Sequence, residues 1–184
     1  AQRDAFGKAL VDLAQNDSRI IALDGDLATS TKTDMFAQVF PERFLQMGIA
    51  EQNMFGVAAG LATLGFIPFA TTFACFTAKR ALDQIRVAIA QPKLNVKMVG
   101  AYSGILTGKT GKTHQTIEYM AVFRAMPYVT TIAPVDGLEV RLAMKAIVEY
   151  EGPVYLRLTR DPCPVVMPEN YEFKIGQAVV LREG

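Results

Sequence analysis

Cysteine is scarce in this sequence: Cys75 and Cys163 are the only two in 184 residues, far apart and in no metal-ligand spacing. That scarcity argues against a cysteine metal cluster and makes a reduced, cytoplasmic setting the expectation. Histidine is scarcer still, with His114 alone. Runs of like charge are missing too, since 19 Lys and Arg offset 18 Asp and Glu and leave a net charge of +1. Neither nucleic acid nor an anionic membrane surface is implied as a partner. No apolar stretch nears the roughly 18 residues of a membrane span, and the chain opens on no signal-peptide pattern. Internal repeats and low-complexity segments are absent as well. What is abundant is apolar residues, at 51%. With no membrane span to account for them, they predict one core of ordinary domain size together with a subunit interface.

Along the chain, an apolar face through Phe6, Leu10, Leu13 and Ala14 predicts a helix over residues 3–15, and the continuous run Ile20-Ile21-Ala22-Leu23 suits a strand covered on both faces. The polar loop Asp24-Gly25-Asp26-Leu27-Ala28-Thr29-Ser30 follows directly, at the strand end where open parallel sheets bind ligands. A short helix is expected over 33–38 and a short strand over 44–47. From Met54 to Leu64 every face is apolar or small, which reads as a helix buried all round, inside a core or in a subunit interface. A strand starts at 66–70, where Pro68 suits an edge or irregular position. A periodic helix is expected over 78–90, strands over 95–99, 128–132 and 154–158, and helices over 115–124 and 137–150. A glycine-rich loop fills 100–113. This alternation of strand and helix predicts a mostly parallel α/β sheet. After Pro162 the chain turns irregular, and 177–181 has the pattern of a strand with nothing following it to pair with.

A few residues stand out chemically, each with an ordinary reading beside it. Glu51 falls in the first turn of the apolar helix, where the helix dipole favours a carboxylate, and where a dry carboxylate could also act on a proton. Phe73 and Phe76, three apart, are core residues by composition or an aromatic platform for a flat ring. His114 sits on the loop Gly108-Lys109-Thr110-Gly111-Lys112-Thr113-His114-Gln115 just before a helix. A lone loop histidine is commonly solvated, yet imidazole gives or takes a proton near neutral pH. Arg3, Ser30 and Arg160 are ordinary surface residues taken singly, and Asp24 and Asp26 could cap the segment that follows them.

Taken together, Gly48-Ile49-Ala50-Glu51-Gln52-Asn53, Thr72-Phe73-Ala74-Cys75-Phe76, the Thr113-His114-Gln115 loop and Leu158-Thr159-Arg160 resemble the pyrimidine-binding domain of transketolases, a thiamine diphosphate family, over nearly the whole chain. The resemblance implies a three-layer α/β sandwich with helices on both faces of the sheet. It implies that Glu51 hydrogen-bonds the aminopyrimidine ring, that Phe73 and Phe76 stack on it, and that Asp26 lies near the cofactor and a dimer interface. His114 would contact donor substrate near the reacting carbonyl, and Arg3, Ser30 and Arg160 would grip the sugar phosphate through charge-assisted hydrogen bonds.

Three positions depart from the family pattern. Lys79 stands where some members carry an aromatic, Thr110 where many carry an aspartate, and Tyr102 where many carry a further histidine. The family's Gly-Asp-Gly motif with its downstream asparagine, which holds the diphosphate and Mg2+ or Ca2+, is not found here. No metal ligand is therefore assigned to this chain, and the resemblance implies a diphosphate-binding domain from another chain, with a homodimer or heterotetramer as the assembly. Residues 1–165 would form the pyrimidine-binding domain, and 166–184 a linker towards a further domain, as in the C-terminal subunit of a split transketolase. Deoxyxylulose phosphate synthase, a 2-oxoacid dehydrogenase beta subunit and a noncatalytic module of the same fold stand as alternatives. Arg3 and Ser30 weigh against the first two.

Overall fold

In the computed structural model, which describes residues 1–183, the strand-like runs assemble into one sheet in which every pairing is parallel. Its strands are β1 (Ile20–Asp24), β2 (Phe44–Gln46), β3 (Ile67–Phe73), β4 (Lys97–Ala101), β5 (Thr130–Ile132) and β6 (Val154–Arg157), in the order β2-β1-β3-β4-β6-β5. The helices are α1 (Gln2–Asn16), α2 (Ala28–Thr31), α3 (Asp34–Val39), α4 (Glu51–Thr63), α5 (Ala74–Ala78), α6 (Leu82–Gln84), α7 (Tyr119–Ala125) and α8 (Gly137–Glu149). They cover both faces of the sheet, so the three-layer α/β sandwich is the observed architecture.

Strand geometry explains the two layers of core, because successive side chains point to opposite faces. Ile20 and Ala22 of β1 join Phe69, Val99 and Leu156 under Phe6 and Leu10 of α1 and Val140, Met144 and Ile147 of α8. Ile21 and Leu23 face the other way, with Ala70, Met98 and Tyr155, beneath Met54, Phe55 and Ala58 of α4 and Phe123 of α7. A strand buried on both faces cannot alternate polar and apolar residues, which is why β1 reads as a continuous apolar run.

Three expectations are corrected and one, that for α4, is narrowed. Pro68 lies in β3, an interior strand rather than an edge. Ile67 donates its amide to Arg19 of the β1 side, so position 68 faces β4, whose pairing opens only at Phe69 with Lys97. The missing proline N–H therefore leaves no ladder bond unmade. The helix over 78–90 is broken: α5 ends at Ala78, the amides of Arg80 and Ala81 both donate to the Phe76 carbonyl, and α6 continues into a π-helical segment at Ile85–Ala90. Such segments mark a local conflict between helical winding and tertiary packing. Helix α4 is not buried all round within one chain, since Gln52, Asn53, Gly56 and Gly60 face outwards and a Cβ on either glycine would meet nothing within 4 Å. The subunit-interface half of that reading remains compatible with this flat outer ridge. Residues 177–181 form no strand.

Candidate functional site

The carboxyl ends of β1, β2, β3, β4 and β6 converge on the edge of the sheet where ligands bind in open parallel folds. At the end of β1, Asp24 is fully buried and accepts hydrogen bonds from the Leu27 amide at 2.6 Å and from the Thr31 and Thr33 hydroxyls at 2.8 Å each. Burial pushes its carboxyl above the usual carboxylate range, against the pull of those three donors. Asp24 is the tie that shapes this loop. Asp26 beside it takes a left-handed φ of 66° and donates its amide to Gln46 Oε1 at 2.8 Å, which leaves its own side chain exposed at the mouth.

Glu51 opens α4 and is 1% exposed. Its Oε2 accepts a bond of 2.7 Å from Arg80 Nη1, and its Oε1 lies 3.5 Å from the Thr72 hydroxyl of β3. The Arg80 guanidinium carbon lies over Phe76, 4.2 Å from the ring centre. A Cβ on Gly25 would come 3.2 Å from Thr72 Oγ1 and 3.8 Å from Glu51 Cγ, so a side chain there would press on the threonine that faces Glu51. Together Gly25, Asp26, Leu27, Ile49, Glu51, Phe76, Arg80, Thr113 and His114 line a cleft of about 390 Å³. A larger hollow of about 560 Å³ lies under residues 173–181 at the β5 edge and shares no residue with this cleft.

Aromatic rings carry the cleft into a second cluster. His114 meets Phe76 and Phe73 edge-on, with centroids 5.4 and 5.9 Å apart. Its Nδ1 shares a 2.9 Å hydrogen bond with Thr113 Oγ1. Phe73 lies 6.0 Å from Phe76 and stacks at 4.1 Å on Tyr102, just beyond β4. Around Tyr102 stand Arg3 from α1, Ser30 from α2 and Arg160 from beyond β6. Arg3 Nη1 donates to the Tyr102 hydroxyl at 2.8 Å and to the Ser30 carbonyl at 3.0 Å. The long loop that presents His114 is fastened by a bridge between Gly104 and Thr116 and by Lys79, which pairs with Glu118 at 2.6 Å.

The structure thus brings Glu51, Phe76, His114 and Asp26 to one cleft, gathers Arg3, Ser30 and Arg160 about Tyr102, and joins the two groups through Phe73. Arg80 and Thr72 were given no role from the sequence, and Tyr102 stood out there only as a departure from the family pattern. A signal for the first existed, because a carboxylate in an apolar segment needs a cation, and Arg80 lies one helical turn past Phe76. Among the described residues no three His, Cys, Asp or Glu side chains are grouped as a metal site requires, and no helix is long and apolar enough to cross a membrane.

Residues 1–165 match the family model of the transketolase pyrimidine-binding domain. A protein of Methanocaldococcus jannaschii, named provisionally as a transketolase C-terminal section, is 44% identical over 184 residues, which is 99% of this chain and 58% of that protein. The 6-deoxy-6-sulfo-D-fructose transketolase subunit of Clostridium sp. strain MSTE9 is 43% identical over 182 residues, 99% of this chain and 56% of that one. Among solved structures, a split-gene transketolase in an inactive β4 tetramer superposes with a TM-score of 0.88 at 49% identity, over 100% of this chain and 59% of that one. This chain spans less than two thirds of the length of each of these three proteins.

Proposed function

The chain belongs to the transketolase family through its pyrimidine-binding domain, and from that membership we propose that it forms half of a thiamine diphosphate site for moving a two-carbon ketol unit from a ketose phosphate to an aldose phosphate. The observation that carries the reading is Glu51: a carboxylate 1% exposed, at the floor of a cleft, beside an aromatic face. The fit to a flat nitrogen heterocycle is supported by Arg80, whose planar, donor-rich guanidinium already lies over Phe76 while bonded to Glu51. When bound, the cofactor supplies the carbanion-stabilising chemistry of the transfer.

The chain's own residues do the rest. Glu51 would accept a hydrogen bond from the pyrimidine ring and hold its protonation state, with Thr72 fixing the other carboxylate oxygen. Phe76 and Phe73 would wall the ring, and Asp26 would border it at the mouth. His114 would give or take a proton at a substrate hydroxyl or carbonyl oxygen, a role worth roughly 10²- to 10⁴-fold in rate for a positioned acid or base. Arg3, Ser30 and Arg160 would hold the terminal anion of the sugar. The relative from Clostridium is named for a sulfo sugar, so that anion is to be tested both as phosphate and as sulfonate.

The diphosphate and its Mg2+ or Ca2+ would be held by a separate diphosphate-binding subunit, with residues 1–165 as the domain that docks on it and 166–184 as the linker beyond. A homodimer or heterotetramer is the expected assembly, through the open ridge of α4. The test is calorimetric titration of thiamine diphosphate and magnesium into this chain with and without a diphosphate-domain subunit, followed by a ketose phosphate assay. Binding and turnover should appear only with the partner and be lost in Glu51→Gln. Turnover by the chain alone, or a Glu51→Gln assembly as active as the parent, would overturn the proposal.

A further inference from the structure

Glu51 and Phe76, the two groups that would receive a nitrogen heterocycle in this cleft, are both engaged by one side chain of the same molecule. Arg80 Nη1 donates to Glu51 Oε2 at 2.7 Å, and the guanidinium carbon lies over Phe76, 4.2 Å from the ring centre. The other carboxylate oxygen, Oε1, is 3.5 Å from the Thr72 hydroxyl, at the outer limit of a hydrogen bond. The short bond of Glu51 is therefore the one to Arg80. A planar cation with donors on its edge makes the same pair of contacts as an aminopyrimidine would, one to the floor and one to the wall.

The two partners differ in their freedom to part. Glu51 is 1% exposed and Arg80 42%, so the cation can move outwards into water while the carboxylate cannot follow it. Arg80 also stands on the link between α5 and α6, where the chain is not helical from Lys79 to Ala81 and the amides of Arg80 and Ala81 both donate to the Phe76 carbonyl. Asp83, exposed and three residues further on, offers a carboxylate to a cation that has moved out. A dry carboxylate with no partner is costly, so the chain without its ligand needs a cation or a donor at Glu51. Arg80 meets that need.

We propose that Arg80 is a stand-in for the aminopyrimidine, holding Glu51 and the face of Phe76 until thiamine diphosphate takes both, so that its displacement sets how tightly the chain takes the cofactor. Breaking the 2.7 Å pair lowers the apparent affinity, since only the fraction of molecules with Arg80 swung out can bind. This rests on the function proposed above and extends it to a residue that makes no lasting contact with the ligand. Its sign is the opposite of that expected for a residue which supports Glu51 during the reaction.

The experiment is calorimetric titration of thiamine diphosphate with magnesium into this chain together with a diphosphate-domain subunit, for the parent, Arg80→Met and Arg80→Lys. Chemical denaturation of each chain without cofactor is measured alongside. Arg80→Met should bind the cofactor roughly tenfold tighter than the parent, the scale of one half-exposed ion pair that no longer has to be broken. The same variant should unfold at a lower denaturant concentration. Affinity gained while stability is lost is the signature of a stand-in, because a residue that supports Glu51 would lose both. Arg80→Lys keeps the charge without the planar fork. It should bind more tightly than the parent and less tightly than Arg80→Met, and it carries the test if Arg80→Met does not fold. Variants that bind no more tightly than a parent that does bind overturn the stand-in and leave the proposed function in place. A parent and variants that all fail to bind the cofactor beside the partner overturn the proposed function, and the stand-in with it.

Discussion

Strand β4 has cations held at each end, the fully buried Lys97 at its start and two half-buried arginines past its finish, and the two ends treat them differently. At its start Lys97 is fully buried and donates to Asn95 Oδ1 at 2.6 Å, to the Tyr150 carbonyl at 2.7 Å and to the Gly152 carbonyl at 3.1 Å. Just past its finish, Tyr102 gathers Arg3 and Arg160, each with a buried Nε that bonds nothing. An ammonium has three protons to give, and Lys97 finds an acceptor for each within the chain. The arginines keep donors in reserve. A cation whose hydrogen bonds close within the fold is part of the framework, whereas one left with buried N–H groups is set to meet something from outside.

The largest test of that difference is Lys97→Met. Removing the ammonium leaves two carbonyls and an amide oxygen without donors in a dry place, at a cost of about 3 kcal/mol in unfolding free energy, measured by chemical denaturation. Anion binding at the other end of the strand should not change. The pH dependence gives a second reading. Burial pushes the Lys97 ammonium down to about 7, against the pull of Glu151. The unfolded chain, with an ordinary lysine, therefore binds more protons between about pH 7 and pH 10.5, and stability rises with pH across that window. The parent should show this rise relative to Lys97→Met. Parallel stability curves for the two would mean that Lys97 titrates in the fold as it does in water.

Glu51 and Arg80 lie between the two cases. Glu51 is 1% exposed and Arg80 42%, so the pair is dry on one side and wet on the other. Solvent screening lowers what a fully buried pair would be worth, and a coupling of about 1 to 2 kcal/mol is expected. A double-mutant cycle of Glu51→Gln and Arg80→Met by denaturation measures it directly. A coupling near zero would mean that Phe76 alone holds Arg80 in place. If the proposed function holds, Arg80→Met should alter thiamine diphosphate affinity in the presence of the diphosphate-domain subunit, because Glu51 would serve both groups.

How much of this was legible in the sequence follows from what each signal depends on. Strand β1 could be read because burial on both faces writes itself as Ile20-Ile21-Ala22-Leu23. The break after α5 could not, since Leu82, Ile85 and Ile89 keep a helical spacing whether the chain bends at Lys79–Ala81 or runs straight. Partners distant in sequence place that bend: Glu51 holds Arg80, and Glu118 holds Lys79. Lys97 was read only as part of a strand, because a lysine in a strand is ordinarily on its wet side, and the carbonyls that receive it come from more than fifty residues away. The site residues gather by the same long-range logic. Arg3 and Arg160 lie at opposite ends of the chain and meet only because α1 and the end of β6 both reach Tyr102, which no spacing rule shows.

The smallest expected effect is at an exposed cation beside the site. Lys79, exposed, reaches Glu118 at 2.6 Å and so fastens α5 to the loop that carries His114. The Glu118 carboxyl is held down to about 2, first by Lys79, then by the Thr116 hydroxyl and the backbone amides beside it. Because that value lies below the unfolded one of 4.5, the stabilisation is present above pH 4.5 and is lost as pH falls towards 2. The pair is exposed and open to salt, so Lys79→Ala should shift the unfolding midpoint only slightly at neutral pH. Its effect belongs instead to the loop: faster hydrogen exchange at residues 104–118, with protection in α1 and α8 unchanged. Unchanged exchange in that loop would show that the Gly104–Thr116 bridge is enough to hold His114 over the cleft.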